Sequence, residues 1–439
     1  MNLTRRAALA ASVASVMAAT SRSAFAATEL DLFFPVPVQG KLANEMQRLI
    51  REFNVAHPDI VVTPVYTGSY DDTNLKTRSA IQAGRPPGAV IMSANFVREY
   101  VINDEIIPLD PLLGSSPADF MGKFWPALRI NATENGHVYG VPFHNSTPLL
   151  YYSVDAFKEA GLDPENPPKT WTDWVNAAQK LTKRDGSNTT RWGLMLPGTY
   201  DYLGWLTSAL AMSDGGEFYN ERWGGEVYFD SSSTVGAITL LDDMVHKYKV
   251  MPAGVTDATA CTSAFFSGRT AMMMLSTGSL SFVQEGMKSP FKVAYLPFNV
   301  ANAAPIGGAS LIVPKGNSLE RQKAAWTLIQ WLTSPEISGA WSRFTGYFSP
   351  VKAAYDLPAM QDFLQKNPNA KIALDQLNLY GRSWFATYNT VGVRKALEDQ
   401  VQSVLSGRAK PAEAARLAQQ NADVLLKPYV EQTALKLPK

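Results

Sequence analysis

Strand-like and helix-like hydrophobic patterns alternate along this chain, and the alternation limits the possible folds more than any other feature. Leu32–Val38 is apolar, with prolines at positions 35 and 37 that end a strand early. Apolar residues at helical spacing follow in Leu42–Phe53, and His57-Pro58 closes that segment. Ile60–Tyr66 and Ala89–Ser93 are further strand-like runs. This order predicts an α/β fold of mostly parallel sheets flanked by helices.

The middle and the end of the chain continue the alternation. Thr170 to Asp173 form a capping-box pattern that opens a helix through Leu181. Ser334-Pro335 begins a later helix, which Gly346 ends. The remaining predicted strands are Val138–Pro142, Pro148–Tyr152, Ala271–Leu275 and Ile306–Val313, and the remaining predicted helices are Asp155–Ala160, Arg321–Leu332, Arg394–Leu405 and Ala412–Leu426.

The first residues read as an export leader. Met1–Ala26 holds Arg5, Arg6 and Arg22 and no acidic residue, and an apolar run that is too short to span a membrane follows the arginine pair. Ala24 to Ala26 form a small-x-small cleavage site, so we expect a cut after Ala26. The arginine pair and the Ala-rich core favour the twin-arginine route over general secretion. With no cysteine at the cut, we expect a mature protein without a lipid anchor in a periplasm.

Composition narrows the class of protein further. The single cysteine, Cys261, cannot form a disulfide within the chain, so the fold depends on its hydrophobic cores. The chain is long enough for more than one core. A net charge of +1 offers no broad attraction for nucleic acid or for an anionic membrane.

Motifs that would carry catalysis are missing from the sequence. The four histidines do not stand at metal-ligand spacing, and neither a nucleophile elbow nor a phosphate-cradling loop occurs. The adjacent pairs Asp71-Asp72 and Asp242-Asp243 are expected to be solvated turn and helix residues rather than acid/base pairs. The sequence therefore favours a protein that is not an enzyme and that carries neither a cofactor nor a metal.

Aromatic, hydroxyl and glycine residues follow several of the predicted strands. Ligands of open parallel α/β sheets lie beyond the carboxyl ends of the strands. Glycines let backbone N–H groups approach a ligand, while hydroxyls and indoles supply hydrogen bonds and apolar faces. This composition suits a polyol, a sugar or a glycerol derivative. The segments concerned are Val36–Gly40, Asn95-Phe96, His144–Thr147, Ser276–Ser279, Gly307–Ser310 and Gly346-Tyr347.

Three segments carry a resemblance to a known family: Phe143–Tyr152, Ile306–Leu311 and Thr345–Tyr347. They resemble the extracellular solute-binding proteins of carbohydrate-type ABC transporters, and within them the glycerol-3-phosphate-binding proteins. The resemblance implies two α/β lobes around a ligand cleft, a monomer, and permease subunits in the inner membrane as partners. We expect residues 27–142 and 285–345 in the first lobe and residues 143–284 and 346–439 in the second. The hinge crossings are expected near 142–151, 276–297 and 345–350.

The resemblance also points to ligand-binding residues. By position it implies Tyr70, Ser146, Ser279, Gly308 and Tyr347, and Arg382 is the nearest candidate for the family's phosphate-binding arginine. Residues beside these positions or at the same predicted edges complete the candidate set: Asn95, Thr147, Tyr202, Trp205, Ser276 and Trp384. Local roles stay open, since the serines and Thr147 can cap backbone groups, the tryptophans can be core residues, and Arg382 can form a surface ion pair.

The sequence departs from the family at three places in the expected cleft. The first loop is Phe34–Gly40, an acidic residue after the third strand is replaced in Ser93–Phe96, and paired tryptophans become Tyr200–Tyr202 with Trp205 nearby. Glycerol 3-phosphate or a glycerophosphodiester is therefore one possible ligand, and a neutral sugar, a polyol or an organic acid is another. An exported hydrolase is the third hypothesis. A phosphate would need an arginine or a helix N-terminus, and Gly40 opens such a helix.

Overall fold

The computed structural model describes residues 27–36, 38, 40–199 and 202–433. The predicted leader, Met1–Ala26, lies outside the described residues, as do Pro37, Gln39, Tyr200 and Asp201. Within the described ranges, no helix is both long and apolar enough to cross a membrane.

The described strands occur in the following order: β1 Thr28–Pro35, β2 Ile60–Gly68, β3 Ala89–Ser93, β4 Thr133–Glu134, β5 His137–Val138, β6 Val141–Ser146, β7 Pro148–Ser153, β8 Lys183–Asp185, β9 Asn188–Met195, β10 Thr270–Ser276, β11 Phe291–Ala294, β12 Ala304–Ile312 and β13 Gly381–Ser383.

The described α-helices are α1 Leu42–Ala56, α2 Tyr70–Gln82, α3 Val97–Ile102, α4 Pro117–Met121, α5 Pro126–Arg129, α6 Val154–Glu159, α7 Trp171–Leu181, α8 Tyr202–Ser213, α9 Ser232–Asp242, α10 Ala258–Phe266, α11 Leu280–Gly286, α12 Leu319–Leu332, α13 Pro335–Thr345, α14 Pro358–Lys366, α15 Pro368–Tyr380, α16 Thr390–Leu405 and α17 Pro411–Thr433.

Two principal sheets divide the described strands between them. The first runs β13-β12-β3-β1-β2, with β6 paired to β12, and the second runs β11-β7-β10-β9-β8. Each sheet has its own large cluster of buried apolar side chains, and the flanking helices contribute residues to that cluster. The two-lobed α/β fold that the sequence predicts is thereby confirmed.

The sheets are mixed rather than mostly parallel, which corrects one detail of the prediction. In the second sheet only β9 and β10 pair in parallel, whereas β7 is antiparallel to both β10 and β11. In the first sheet β12 is antiparallel to β3 and to β6. Strands β7 and β12 enter their sheets directly from the other sheet, without the helical crossover that parallel neighbours require.

The chain passes between the sheets from β6 to β7 and again from β11 to β12. Strand β11 pairs with β7 and so lies in the second sheet, whereas the predicted boundary at 285 places it in the first lobe. Val351 packs into the apolar cluster of the first sheet, and β13 pairs with β12, whereas the boundary at 346 places both in the second lobe. Residues after β13 return to the second cluster through Trp384 and Phe385.

Local capping fixes where several helices begin and end. The Thr170 hydroxyl accepts from the Asp173 N–H, and the Asp173 carboxylate accepts from the Thr170 N–H, which confirms the predicted helix through Leu181. Ser69 and Asp72 make the same reciprocal cap, and it places Tyr70 at the first position of α2. Gly346 adopts φ +96° and ends α13, so that Tyr347 leaves the helix in a set direction.

Candidate functional site

A narrow cavity lies where elements of both sheets meet. Its volume is about 30 Å³, room for no more than a few water molecules. Eight of the twelve predicted site residues line it, together with Val38 and Gly307. These eight are Tyr70, Ser146, Tyr202, Trp205, Ser276, Gly308, Tyr347 and Trp384. We call this lined space the cleft; the part that its residues play in binding stays a prediction.

Two glycines on β12 form one wall of the cleft. Gly308 adopts φ +95°, and a Cβ atom there would lie 2.0 Å from the carbonyl oxygen of His144 on the neighbouring strand β6. At Gly307 a Cβ atom would lie 3.0 Å from the ring of Trp205. Only glycine combines this backbone angle with such close packing. The pair therefore lets the strand backbone form part of the cleft surface.

Tyr347 is held against the cleft from several directions. The Tyr347 N–H donates to the Thr345 hydroxyl, and its carbonyl accepts from the Ser342 hydroxyl. A Cβ atom at Gly278 would lie 2.5 Å from the ring of Tyr347, so the lack of a side chain there lets the ring pack. Tyr347 is 2% exposed, so its ring is buried among these contacts.

His144 packs between two of the cleft tyrosines without appearing among the lining residues. Its Nε2 atom lies 3.1 Å from the Tyr70 hydroxyl, and its ring stacks on Tyr347 with centroids 4.6 Å apart. Burial lowers the pKa of His144 from 6.5 to about 3, so the ring is neutral at pH 7. His144 lies on β6 and is thus a buried support for the cleft.

Aromatic residues form another part of the cleft surface. Trp205 donates its indole N–H to the carbonyl of Pro305, and its ring lies beside Trp384 and Tyr202 at centroid distances of 6.3 and 5.8 Å. The indole N–H of Trp384 has no partner among the described residues. A buried indole usually finds an acceptor, so this N–H is a natural donor to a ligand in the cleft.

Three further candidates are buried but do not line the cleft. The Thr147 hydroxyl accepts from the side-chain amide of Gln376. The Asn95 amide oxygen accepts from the Ser93 hydroxyl, and Ser279 lies in the short turn after β10. Ser276 has two roles, because it lines the cleft and its hydroxyl also caps the Gly278 N–H.

The prediction that Arg382 lies in the cleft is corrected by the structure. Arg382 is exposed on β13 and lines a separate groove of about 670 Å³ together with Glu221. The next residue, Ser383, is buried and its hydroxyl accepts from Tyr219. Because successive side chains of a strand point to opposite faces, burying Ser383 turns Arg382 outward.

A different arginine, which the sequence reasoning missed, lies close behind the cleft. Arg394 on α16 is 3% exposed, and its Nη2 atom lies 2.5 Å from an oxygen of Asp71, the residue after Tyr70. Glu398, one helical turn later, lies 3.5 Å from the Arg394 Nε atom. Burial raises the pKa of Glu398, while the nearby Arg394 lowers it. Arg394 thus joins the helix layer of the second lobe to the first lobe.

Other site types find little support in the described part of the chain. No cluster of histidine, cysteine, aspartate and glutamate there could hold a metal ion. Asp72, which the sequence assigns to a solvated turn, accepts from the Ser69 N–H and hydroxyl, and these hydrogen bonds lower its pKa. The cleft therefore offers rings, hydroxyls and backbone, with one buried cation nearby, and this set is suited to binding.

Comparison with known proteins agrees with this geometry. Residues 48–372 match the model of the bacterial extracellular solute-binding protein family. The sn-glycerol-3-phosphate-binding periplasmic protein UgpB of Escherichia coli is 30% identical over 90% of this chain and 92% of the relative. The protein of that name from Pectobacterium atrosepticum is 30% identical over 94% of each chain.

Solved structures show the same fold. Mycobacterium tuberculosis UgpB in complex with glycerophosphocholine superimposes with a TM-score of 0.81 at 24% identity, covering 91% of this chain and 98% of that one. Maltose-bound MalE3 of T. maritima gives 0.78 at 24% identity, covering 91% of this chain and all of the other. The chain therefore belongs to the bacterial extracellular solute-binding protein family, and it is a periplasmic receptor of an ABC-type importer.

Proposed function

We propose that this receptor captures a small glycerol phosphate compound, a glycerophosphodiester in preference to glycerol 3-phosphate, and delivers it to the permease of its importer. The observation that carries the proposal is the pairing of an aromatic and hydroxyl-lined cleft with the buried Arg394 beside Tyr70. The names of the relatives and the glycerophosphocholine complex of the M. tuberculosis protein support the same ligand class.

The charges around Arg394 favour a diester over a monoester. Asp71 and Glu398 both face this arginine, so one cation is shared by two carboxyl groups. A phosphodiester brings one negative charge, whereas a phosphomonoester near neutral pH brings about 1.5 to 2. Burying a negative charge that has no positive partner costs binding free energy. The singly charged diester therefore suits the shared Arg394 better than the monoester does. The rings of Trp205 and Trp384 suit an ammonium head group at the other end of such a ligand.

A neutral sugar is the second candidate. Among the described residues that line the cleft, none is cationic. Aromatic faces with nearby hydroxyl groups also suit a sugar ring, and the maltose-bound neighbour has the same fold. The two candidates differ in whether Arg394 takes part in binding.

We further propose that the ligand is enclosed by rotation of the lobes about their crossings. The cleft volume is too small for a glycerophosphodiester, so the lobes must separate before the ligand can bind. Gln376 forms hydrogen bonds with both crossings. Its amide donates to Thr147 and Pro148 in the crossing from β6 to β7, and it accepts from the Leu296 N–H in the crossing from β11 to β12. This arrangement suits a hinge with a defined axis. Scattering should show a smaller radius with saturating ligand, and an unchanged radius would contradict the rotation.

Calorimetric titration of the mature protein tests the ligand assignment. We expect glycerophosphocholine to bind more tightly than glycerol 3-phosphate, and both to bind more tightly than maltose. Mass spectrometry should then recover the ligand unchanged after long incubation, as expected of a monomeric receptor without catalytic activity. Tightest binding of maltose would favour the sugar candidate, and product formation would favour an exported enzyme.

A further inference from the structure

Helix α16 belongs to the second lobe, but its N-terminus is attached to the first lobe. Val393 and Leu397 of this helix pack in the apolar cluster of the second sheet. Thr390 is the first residue of the helix, and its N–H donates to the carboxylate of Glu99 on α3 at 2.9 Å. The Thr390 hydroxyl donates to the carbonyl of Asn95, which directly precedes α3 in the first lobe. The contacts of Thr390 therefore cross from one lobe to the other.

The arginine behind the cleft shares this attachment to the first lobe. Thr390 and Arg394 stand four residues apart, so they lie on the same face of α16. Arg394 contacts Asp71 on α2, whereas Thr390 contacts Glu99 on α3. The two helices of the first lobe are themselves joined, because Arg78 of α2 lies 2.8 Å from the other carboxylate oxygen of Glu99. These contacts form a closed ring that links three helices and includes Arg394.

Glu99 supplies the acceptor that the start of α16 needs. The first N–H groups of an α-helix have no partner within the helix. Thr390 is fully buried and Glu99 is 5% exposed, so water does not replace this hydrogen bond. A buried N–H without a partner is costly, and without Glu99 the first turn would have to shift toward another acceptor. Such a shift would carry Arg394 with it, because Arg394 lies one helical turn later.

We propose that Glu99 is a positioning residue, which holds the first turn of α16 against the first lobe and thereby sets the place of the Arg394 guanidinium. The inference rests on the proposed function in taking Arg394 as the cation that meets the phosphate of the ligand. It adds that ligand affinity depends on a carboxylate of the first lobe that does not line the cleft.

Side-chain NMR of the ligand-free mature protein tests the positioning without reference to any ligand. The Arg394 Nε–H is buried and should exchange slowly with water in the parent protein, but several-fold faster in Glu99→Ala. Glu105→Ala is the matched control, since Glu105 is the other carboxylate paired with Arg78 and its loss leaves the bond to Thr390 in place. That control should exchange like the parent protein. Equal exchange in Glu99→Ala and the parent protein would overturn the proposal.

Calorimetric titration with glycerophosphocholine tests the consequence for binding. Glu99→Ala should weaken binding about tenfold, the typical effect of one hydrogen bond. Glu99→Gln should recover most of this loss, because its amide oxygen can still accept from the Thr390 N–H. Glu105→Ala should bind within about twofold of the parent protein, since α16 keeps its acceptor. A loss in Glu99→Gln or in Glu105→Ala as large as that in Glu99→Ala would contradict the proposal.

A variant on the other side of the bond serves if Glu99→Ala does not fold. Thr390→Pro removes the donor, and proline suits the first position of a helix because the missing N–H has no partner within the helix. Thr390→Val loses the hydroxyl and keeps the N–H, so it is the matched control. Thr390→Pro should speed the Arg394 exchange and weaken binding more than Thr390→Val does. Equal effects of the two would assign the role to the hydroxyl and not to Glu99.

A double variant separates positioning from general support of the fold. If Glu99 acts through Arg394, Glu99→Ala should cost nothing more in an Arg394→Gln background. Losses that multiply in the double variant would show that Glu99 serves the site independently of Arg394, and they would overturn the proposal. No detectable binding by the parent protein would count against the proposed ligand, and the exchange of the Arg394 Nε–H would then decide the role of Glu99.

Discussion

Replacing Arg394 by glutamine is the sharpest test of how this receptor meets an anionic ligand. The guanidinium is buried between Asp71 and Glu398. The Asp71 side chain is 47% exposed, so without its partner it can be hydrated at little cost. Glu398 has a raised pKa and can take up a proton. The change should therefore affect ligand binding more than folding.

The size of the effect follows from these contacts. Truncating one partner of a buried charge pair costs about 2–5 kcal/mol of binding free energy. Arg394 already has Asp71 as a partner, so binding an anion exchanges one partner for another. The expected loss is therefore at the lower end, about 2–3 kcal/mol, or roughly 30- to 150-fold in affinity. Such a loss is readily measured by calorimetric titration with glycerophosphocholine.

Arg382→Gln is the matched control, since it removes the same group from an exposed position in a different groove. We expect its affinity to stay within about twofold of the parent protein, as for most surface substitutions. Thermal unfolding of both variants checks that the fold is intact. Unchanged affinity in a folded Arg394→Gln variant would refute the reasoning, and a loss in Arg382→Gln instead would restore the assignment made from the sequence.

Three further substitutions test the supports of the cleft. His144 takes up a proton below pH 6.5 in the unfolded chain but only near pH 3 in the folded protein, because burial lowers its pKa. The free energy of unfolding should therefore fall as the pH drops from 6.5 to 3, by at most about 1.4 kcal/mol per pH unit. Urea titrations should show that His144→Phe flattens this pH dependence. Gly308→Ala should destabilise by about 3 kcal/mol or more because its Cβ meets a carbonyl oxygen, whereas Gly136→Ala, also at positive φ but in open space, should cost about 1 kcal/mol in the same assay. Gln376→Ala should lower the unfolding free energy by about 2–4 kcal/mol, since it leaves buried backbone groups at the hinge unpaired; an unchanged urea midpoint would rule this out.

Local signals in the sequence were enough to predict most elements of the fold. The capping pattern at Thr170 and the glycine at 346 mark helix ends that depend only on neighbouring residues, and both are found as expected. Strand direction depends on how distant segments meet. The hydrophobic pattern of β7 is the same for a parallel and an antiparallel neighbour, so the mixed sheets could not be derived from it.

The difference between local signals and contacts of distant segments also explains why the sequence pointed to Arg382 and missed Arg394. Arg382 was chosen as the nearest candidate by position for the family's phosphate-binding arginine, yet its position on an edge strand turns it toward solvent. Arg394 lies on an amphipathic helix, where an arginine is normally a surface residue. Its partner Asp71 is 323 residues away, so no local pattern could pair them. The i to i+4 spacing of Arg394 and Glu398 was the only available signal.

The interleaving of the two sheets has a consequence for how this chain folds. Strand β3 ends at Ser93, but its neighbour β12 begins only at Ala304, after every strand of the second sheet has been synthesised. The second sheet in turn lacks α16 and α17, which supply part of its apolar cluster, until the chain is nearly complete. Closing such long loops slows folding, and β3 presents an unpaired edge meanwhile. The first sheet therefore stays incomplete until β12 and β13 have been synthesised, and the apolar cluster of the second sheet stays incomplete until α16 and α17 have followed.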